Sequence, residues 1–136
     1  RGQNVAGGQL RRAFAAARAD AERNGVTFQV THDAAAAARD ADVVYTDSWM
    51  SYHIPKDQAE ERAALFAPYR VTADLMRQAK PDAIFLNCLP AVRGMEQTAD
   101  VIDGPQSVVF DEAENRMHMH KALMLILLRE AGTISG

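Results

Sequence analysis

Four short strand-like blocks, separated by stretches of helical spacing, limit what this 136-residue chain can fold into. Residues 26–30 alternate apolar and polar, and residues 43–45 and 83–86 are compact apolar runs of the kind that form buried strands. Residues 107–110 make the last block. Between them lie helix signals. Residues 9–23 put Leu10, Phe14 and Ala17 on one stripe and end at Asn24-Gly25. Asp33 is placed to cap an Ala-rich helix over 34–39. Pro55 opens a helix that runs to Phe66, with Pro68 stopping it, and Thr72 caps residues 73–79. From about Glu114 a C-terminal helix carries Met117, Ala122, Leu123, Ile126 and Leu127. Strands that alternate with helices predict an α/β fold, a parallel sheet flanked by helices. The opening residues, Arg1-Gly2-Gln3-Asn4, are of the kind that usually follows a first hydrophobic strand, so the sheet is expected to lack that strand.

Composition narrows the function. A length of 136 residues suits a single domain. The net charge is -3 and no Lys/Arg block stands out, which argues against a nucleic-acid partner. No apolar run approaches the roughly 20 residues that cross a bilayer. Cys88 is the one cysteine. It excludes an internal disulfide and fits a reducing compartment, so a cytoplasmic location is expected.

In an open α/β sheet, ligands bind beyond the carboxyl ends of the strands. Two polar clusters fall there. Asp47-Ser48-Trp49-Met50-Ser51-Tyr52-His53 follows the 43–45 block, and Asn87-Cys88-Leu89-Pro90 follows the 83–86 block. Asp47 suits an ammonium group through a charge-assisted hydrogen bond, and equally suits a turn or cap. Cys88 reads as a ligand-facing thiol or as a small buried hydrophobe. Leu89-Pro90 is open to a cis or a trans bond. A third cluster, residues 111–116, falls at a strand-to-helix junction. Its acidic members favour the helix dipole, whereas Arg116 is either a solvated surface residue or a fork for a phosphate or carboxylate. His118 and His120 do not share a helix face, and with one cysteine no zinc site is expected. No phosphate-cradling loop or dinucleotide fingerprint is present, so no cofactor is expected.

Taken together these clusters resemble the second domain of the ornithine carbamoyltransferases. The run 82–94, DAIFLNCLPAVRG, is similar to the family's H-C-L-P signature with its A-x-R-G continuation. The run 101–116, VIDGPQSVVFDEAENR, resembles the stretch that follows. DVVYTDSW over 42–49 resembles the strand leading into the family's D-x-W-x-S-M-G loop, and GQNVA over 2–6 the tail of its G-D-G-N-N-V motif.

The resemblance implies a Rossmann-like second domain and a reaction. The side-chain amine of ornithine attacks the carbonyl carbon of carbamoyl phosphate, giving citrulline and phosphate in arginine metabolism. It implies that Asp47 holds the amino-acid ammonium, with Asn4, Ser51 and Tyr52 lining the ornithine site. Cys88 and the Leu89 backbone then lie near the carbamoyl group, and Arg116 binds carbamoyl phosphate. The chemistry needs no metal and no covalent enzyme intermediate, and the family's assembly implies a homotrimer.

Three departures accompany the resemblance. Asn87 stands where the signature has His, and Ser51-Tyr52-His53 replaces Ser-Met-Gly, which leaves other amines open as substrates. Nothing matches the S-x-R-T-R phosphate motif of the family's first domain, and the stretch between Asn4 and Val26 is short. The chain is therefore expected to be one ornithine-binding domain without a carbamoyl-phosphate domain, inactive by itself. The alternative is a stand-alone or degenerate, non-catalytic domain that binds an amino acid or a protein partner.

Overall fold

A computed structural model describes residues 5–50 and 54–134, which divide into two units, Arg1–His32 and Asp33–Gly136. The first unit is built on helix α1, Val5–Asn24. Its end is where the sequence placed it. Gly25 takes φ +65, a left-handed conformation that costs glycine little. The Gly25 N–H then donates to the Glu22 carbonyl and the Val26 N–H to the Ala21 carbonyl at 3.0 Å, the paired bonds of a Schellman cap.

Residues 26–30 do not form the expected strand: among the described residues they join no ladder. Alternation alone does not make a strand, because its N–H and C=O groups need a neighbouring strand to bond. Here Phe28 turns back onto Phe14 of α1, with ring centroids 6.3 Å apart, while Val26 and Val30 stay exposed.

The second unit carries the sheet. Helix α2, Ala34–Ala38, starts at Asp33, whose carboxylate accepts the Ala36 N–H as expected of a cap. Strand β1, Val43–Thr46, then pairs in parallel with strand β2, Ile84–Asn87. Between them, Pro55 precedes a single 3-10 turn, Lys56–Gln58, and helix α3, Ala59–Phe66. Thr72 caps helix α4, Ala73–Met76, by accepting the Leu75 N–H. After β2 come the short helix α5, Ala99–Ile102, and the long helix α6, Val109–Glu130. The fold is α/β, a small parallel sheet flanked by helices, as the alternating pattern predicted.

Two expectations are corrected. The block at 107–110 is not a strand: Ser107 makes one parallel bridge to Phe85, and α6 begins at Val109. Asp111 and Glu112 fall in the first turn of α6, where the dipole favours acidic side chains, so the helix starts earlier than Glu114. The cluster at 111–116 therefore lies within a helix and not at a strand-to-helix junction. The second correction concerns burial. β1 was read as buried, yet Val43 and Tyr45 are exposed, because among the described residues β1 is an edge of a two-stranded sheet. β2 is better covered, with Phe85 and Asn87 fully buried.

The core gathers on β2. Phe85 packs with Val71, which precedes α4, and with Met76, Val101, Ile102 and Val109 from α4, α5 and the first turn of α6. Past that turn α6 is exposed, including Met117, Leu123, Ile126 and Leu127.

Candidate ligand site at the strand ends

Register builds the site. Thr46 of β1 pairs with Asn87 of β2, so the next residue on each strand, Asp47 and Cys88, leaves the sheet side by side. Cys88 Sγ donates to Asp47 Oδ1 at 3.0 Å. Two residues separated by 41 positions thus meet at the carboxyl edge of a parallel sheet, where such folds bind ligands.

The chain beyond each strand is fixed by its own bonds. Asp47 Oδ1 also accepts the Ser48 N–H at 2.7 Å, and the Ser48 hydroxyl donates to the Met50 carbonyl. The turn role read for Asp47 is therefore present in the Ser48 bond, and the same oxygen also meets the Cys88 thiol. The Trp49 ring is buried against Phe66, with centroids 5.8 Å apart, and the Arg70 guanidinium lies 5.7 Å from its centre. On the β2 side, Asn87 Nδ2 donates to Gln97 Oε1 at 3.1 Å, and Asn87 Oδ1 accepts the Leu89 N–H at 2.9 Å. Both ends of the amide are thus committed to the scaffold. What Leu89 can offer a ligand is its carbonyl, since its N–H is taken. The Leu89-Pro90 bond is cis.

An open cavity of about 580 Å³ is lined by Cys88, Leu89, Pro90, Phe110, Ala113 and Arg116, among others. It brings Arg116 of α6 to the same hollow as Cys88. A second cavity of about 390 Å³, between α4 and α5, contains none of the strand-end residues. Of the predicted site residues, Asp47, Cys88, Leu89 and Arg116 come together in this unit. Asn4, Ser51 and Tyr52 lie outside the described residues.

Electrostatics keep the thiol protonated. The Cys88 pKa is raised, first because the thiol donates to Asp47 and then because burial disfavours the thiolate. Tyr45 is pushed up to about 12, first by loss of water and then by the negative charge of Glu112, with the neighbouring Cys88 adding to it. A thiol with a raised folded pKa stabilises the fold fully below its unfolded value, near 8.5. That contribution is lost as pH rises through the folded value. Alkylation of Cys88 between about pH 8 and 9 is accordingly expected to lag behind a free cysteine peptide. Asp47→Asn should remove most of the lag, and an identical rate in both proteins would show that the contact has no such effect.

Sequence reasoning missed Tyr45, Glu96 and Gln97 as parts of this region. The two buried polar residues, Glu96 at 2% and Gln97 at 0% exposure, follow a Gly-containing turn and carry no sequence signal of burial. Their role is visible only through what they bond.

A family model described as aspartate/ornithine carbamoyltransferase, Asp/Orn binding domain, matches residues 8–127. The chain belongs to this family. The ornithine carbamoyltransferase of Methanothermobacter thermautotrophicus is 56% identical over 104 residues, which are 76% of this chain and 34% of that protein. Among solved structures, ornithine carbamoyltransferase from Pyrococcus furiosus superposes with a TM-score of 0.70 at 51% identity, covering 76% of this chain and 33% of that one. The anabolic ornithine carbamoyltransferase from Campylobacter jejuni gives a TM-score of 0.75 at 33% identity, covering 84% and 37%. This carbamoyltransferase domain thus spans about a third of the length of the relatives it matches. Among its described residues, no helix is long and apolar enough to cross a membrane.

Proposed function

We propose that the chain is the amino-acid-binding half of an ornithine carbamoyltransferase. In such an enzyme the side-chain amine of ornithine forms a C–N bond to the carbamoyl carbon of carbamoyl phosphate. The C–O bond to phosphate then breaks, a proton leaves the amine, and citrulline and phosphate result. The observation that carries the reading is the meeting of Asp47 and Cys88 at adjacent strand ends, with Cys88 lining the cavity that Arg116 also lines. Asp47 holds the ammonium of the amino acid through a charge-assisted hydrogen bond. Cys88, protonated, acts as a hydrogen-bond donor and not as a nucleophile. The Leu89 carbonyl accepts from the carbamoyl amide. The Arg116 guanidinium neutralises phosphate and the charge that develops as the tetrahedral intermediate forms. Catalysis is then largely positioning and electrostatics.

Asn4, Ser51 and Tyr52 complete the ornithine site in this reading. The whole chain serves as one ornithine-binding domain, and the carbamoyl-phosphate domain lies outside it. A homotrimer and a cytoplasmic location rest on the family resemblance, the latter supported by the single cysteine. The non-catalytic alternative drew on Asn87, but the buried amide is satisfied at both ends, so its presence is explained by packing. Ornithine binding measured by calorimetry tests the assignment. Asp47→Ala, with the fold intact, should weaken binding by about 1.5–3 kcal/mol, the value of a hydrogen bond to a charged group. That is roughly 10- to 100-fold in Kd. Unchanged affinity would remove Asp47 from the site.

A further inference from the structure

Glu96 is a carboxylate with 2% of its surface exposed, and neither of the loops that bear Asp47 and Cys88 contains it. Burying a carboxylate is costly unless its oxygens are hydrogen-bonded. Here the two oxygens serve two different loops. Oε1 accepts the Trp49 N–H at 3.0 Å, two residues beyond Asp47, and Oε2 accepts the Val92 N–H at 3.3 Å, four residues beyond Cys88. The Glu96 carbonyl in turn accepts the Val71 N–H at 2.9 Å, which anchors its own segment to the core. Arg62 Nε donates to the Trp49 carbonyl at 3.0 Å, so both backbone groups of Trp49 are held. A glutamine of the same shape offers only one acceptor oxygen; its NH2 would face the second N–H as donor against donor.

We propose that Glu96 is a positioning residue whose carboxylate splints the Asp47–Trp49 loop to the Cys88–Val92 loop and so sets the spacing of Asp47 and Cys88. Its importance for ornithine rests on the function proposed above; the splint itself does not. No part of Glu96 need touch a substrate.

The test is Glu96→Gln in the protein as its source expresses it, read by Cys88 alkylation across pH and by ornithine calorimetry. Loss of the splint lets Cys88 part from Asp47. The alkylation rate below the thiol pKa should then rise by up to about tenfold for each pKa unit recovered. Ornithine affinity should fall by about tenfold or more, the size of one lost hydrogen bond. Faster alkylation with unchanged ornithine affinity supports the splint and counts against the ornithine reading. A native alkylation profile in a variant that is merely less stable overturns the splint. Amide exchange in the unsubstituted protein needs no variant to fold. The Trp49 and Val92 N–H groups should exchange with protection equal to within about a fewfold, as one cooperative opening. Protection differing by more than about tenfold would overturn the proposal.

Discussion

Phe85→Ala is expected to cost about 3–5 kcal/mol of unfolding free energy, a large share of the roughly 5–15 kcal/mol that holds a domain together. Phe85 is fully buried in the middle of β2, and the core gathers around it: Val71, Met76, Val101, Ile102 and Val109. Its N–H donates to the Gln106 carbonyl and its carbonyl accepts the Val108 N–H, which tie β2 to the segment entering α6. Removing the ring leaves those backbone bonds but empties the space between α4, α5 and α6. The ring is fully buried among side chains of these elements, so only partial collapse into the void is expected. Urea unfolding followed by circular dichroism measures the loss. A cost below about 1 kcal/mol would mean that the core closes over the gap.

Asn87→Leu should be nearly as damaging for a different reason. The substitution keeps the size but removes the donor to Gln97 Oε1 and the acceptor for the Leu89 N–H. Gln97 is fully buried, so its oxygen finds no water to replace the amide. Each orphaned group costs about 1–3 kcal/mol. The double variant Asn87→Leu with Gln97→Leu should recover part of the loss, because removing both partners of a buried bond is cheaper than removing one. Additive losses in the double variant would show that the two side chains stabilise the fold independently. The same experiment bears on the departure from the family's H-C-L-P signature. A neutral imidazole offers one donor and one acceptor, the two roles that Asn87 fills toward Gln97 and Leu89.

Much of this was legible in the residues. Local signals were read well because their causes are local. Asp33 and Thr72 cap helices because a short oxygen-bearing side chain reaches N–H groups three residues on. Gly25 ends α1 because only glycine enters the left-handed region at little cost. The strand blocks read at 43–45 and 83–86 from apolar runs bounded by turn residues fall at 43–46 and 84–87, so Asn87, read as following the second strand, is its last residue. Asp47 and Cys88 were singled out on the same grounds, whereas Arg116 was read at a strand-to-helix junction and lies inside α6.

The failures share another cause. Residues 26–30 have strand spacing but pair with no strand among the described residues, and residues 107–110 have a partner for a single bridge before the helix takes over. Sheet hydrogen bonds are made between segments distant in sequence, so no local pattern tells whether a neighbour is present. The burial of β1 failed likewise, since exposure depends on what covers a face and not on the face itself.

The sequence by itself determined the alternation of elements, their caps and the strand-end positions of the polar residues, because these depend on side chains within a few positions of one another. Only the tertiary structure decided the parallel register that places Asp47 beside Cys88, and the buried Glu96 that joins their loops. Those arrangements arise where segments 41 and 47 positions apart come into hydrogen-bonding distance. Chain spacing carries no record of such distances, which depend on strand pairing and on bonds between segments far apart in sequence.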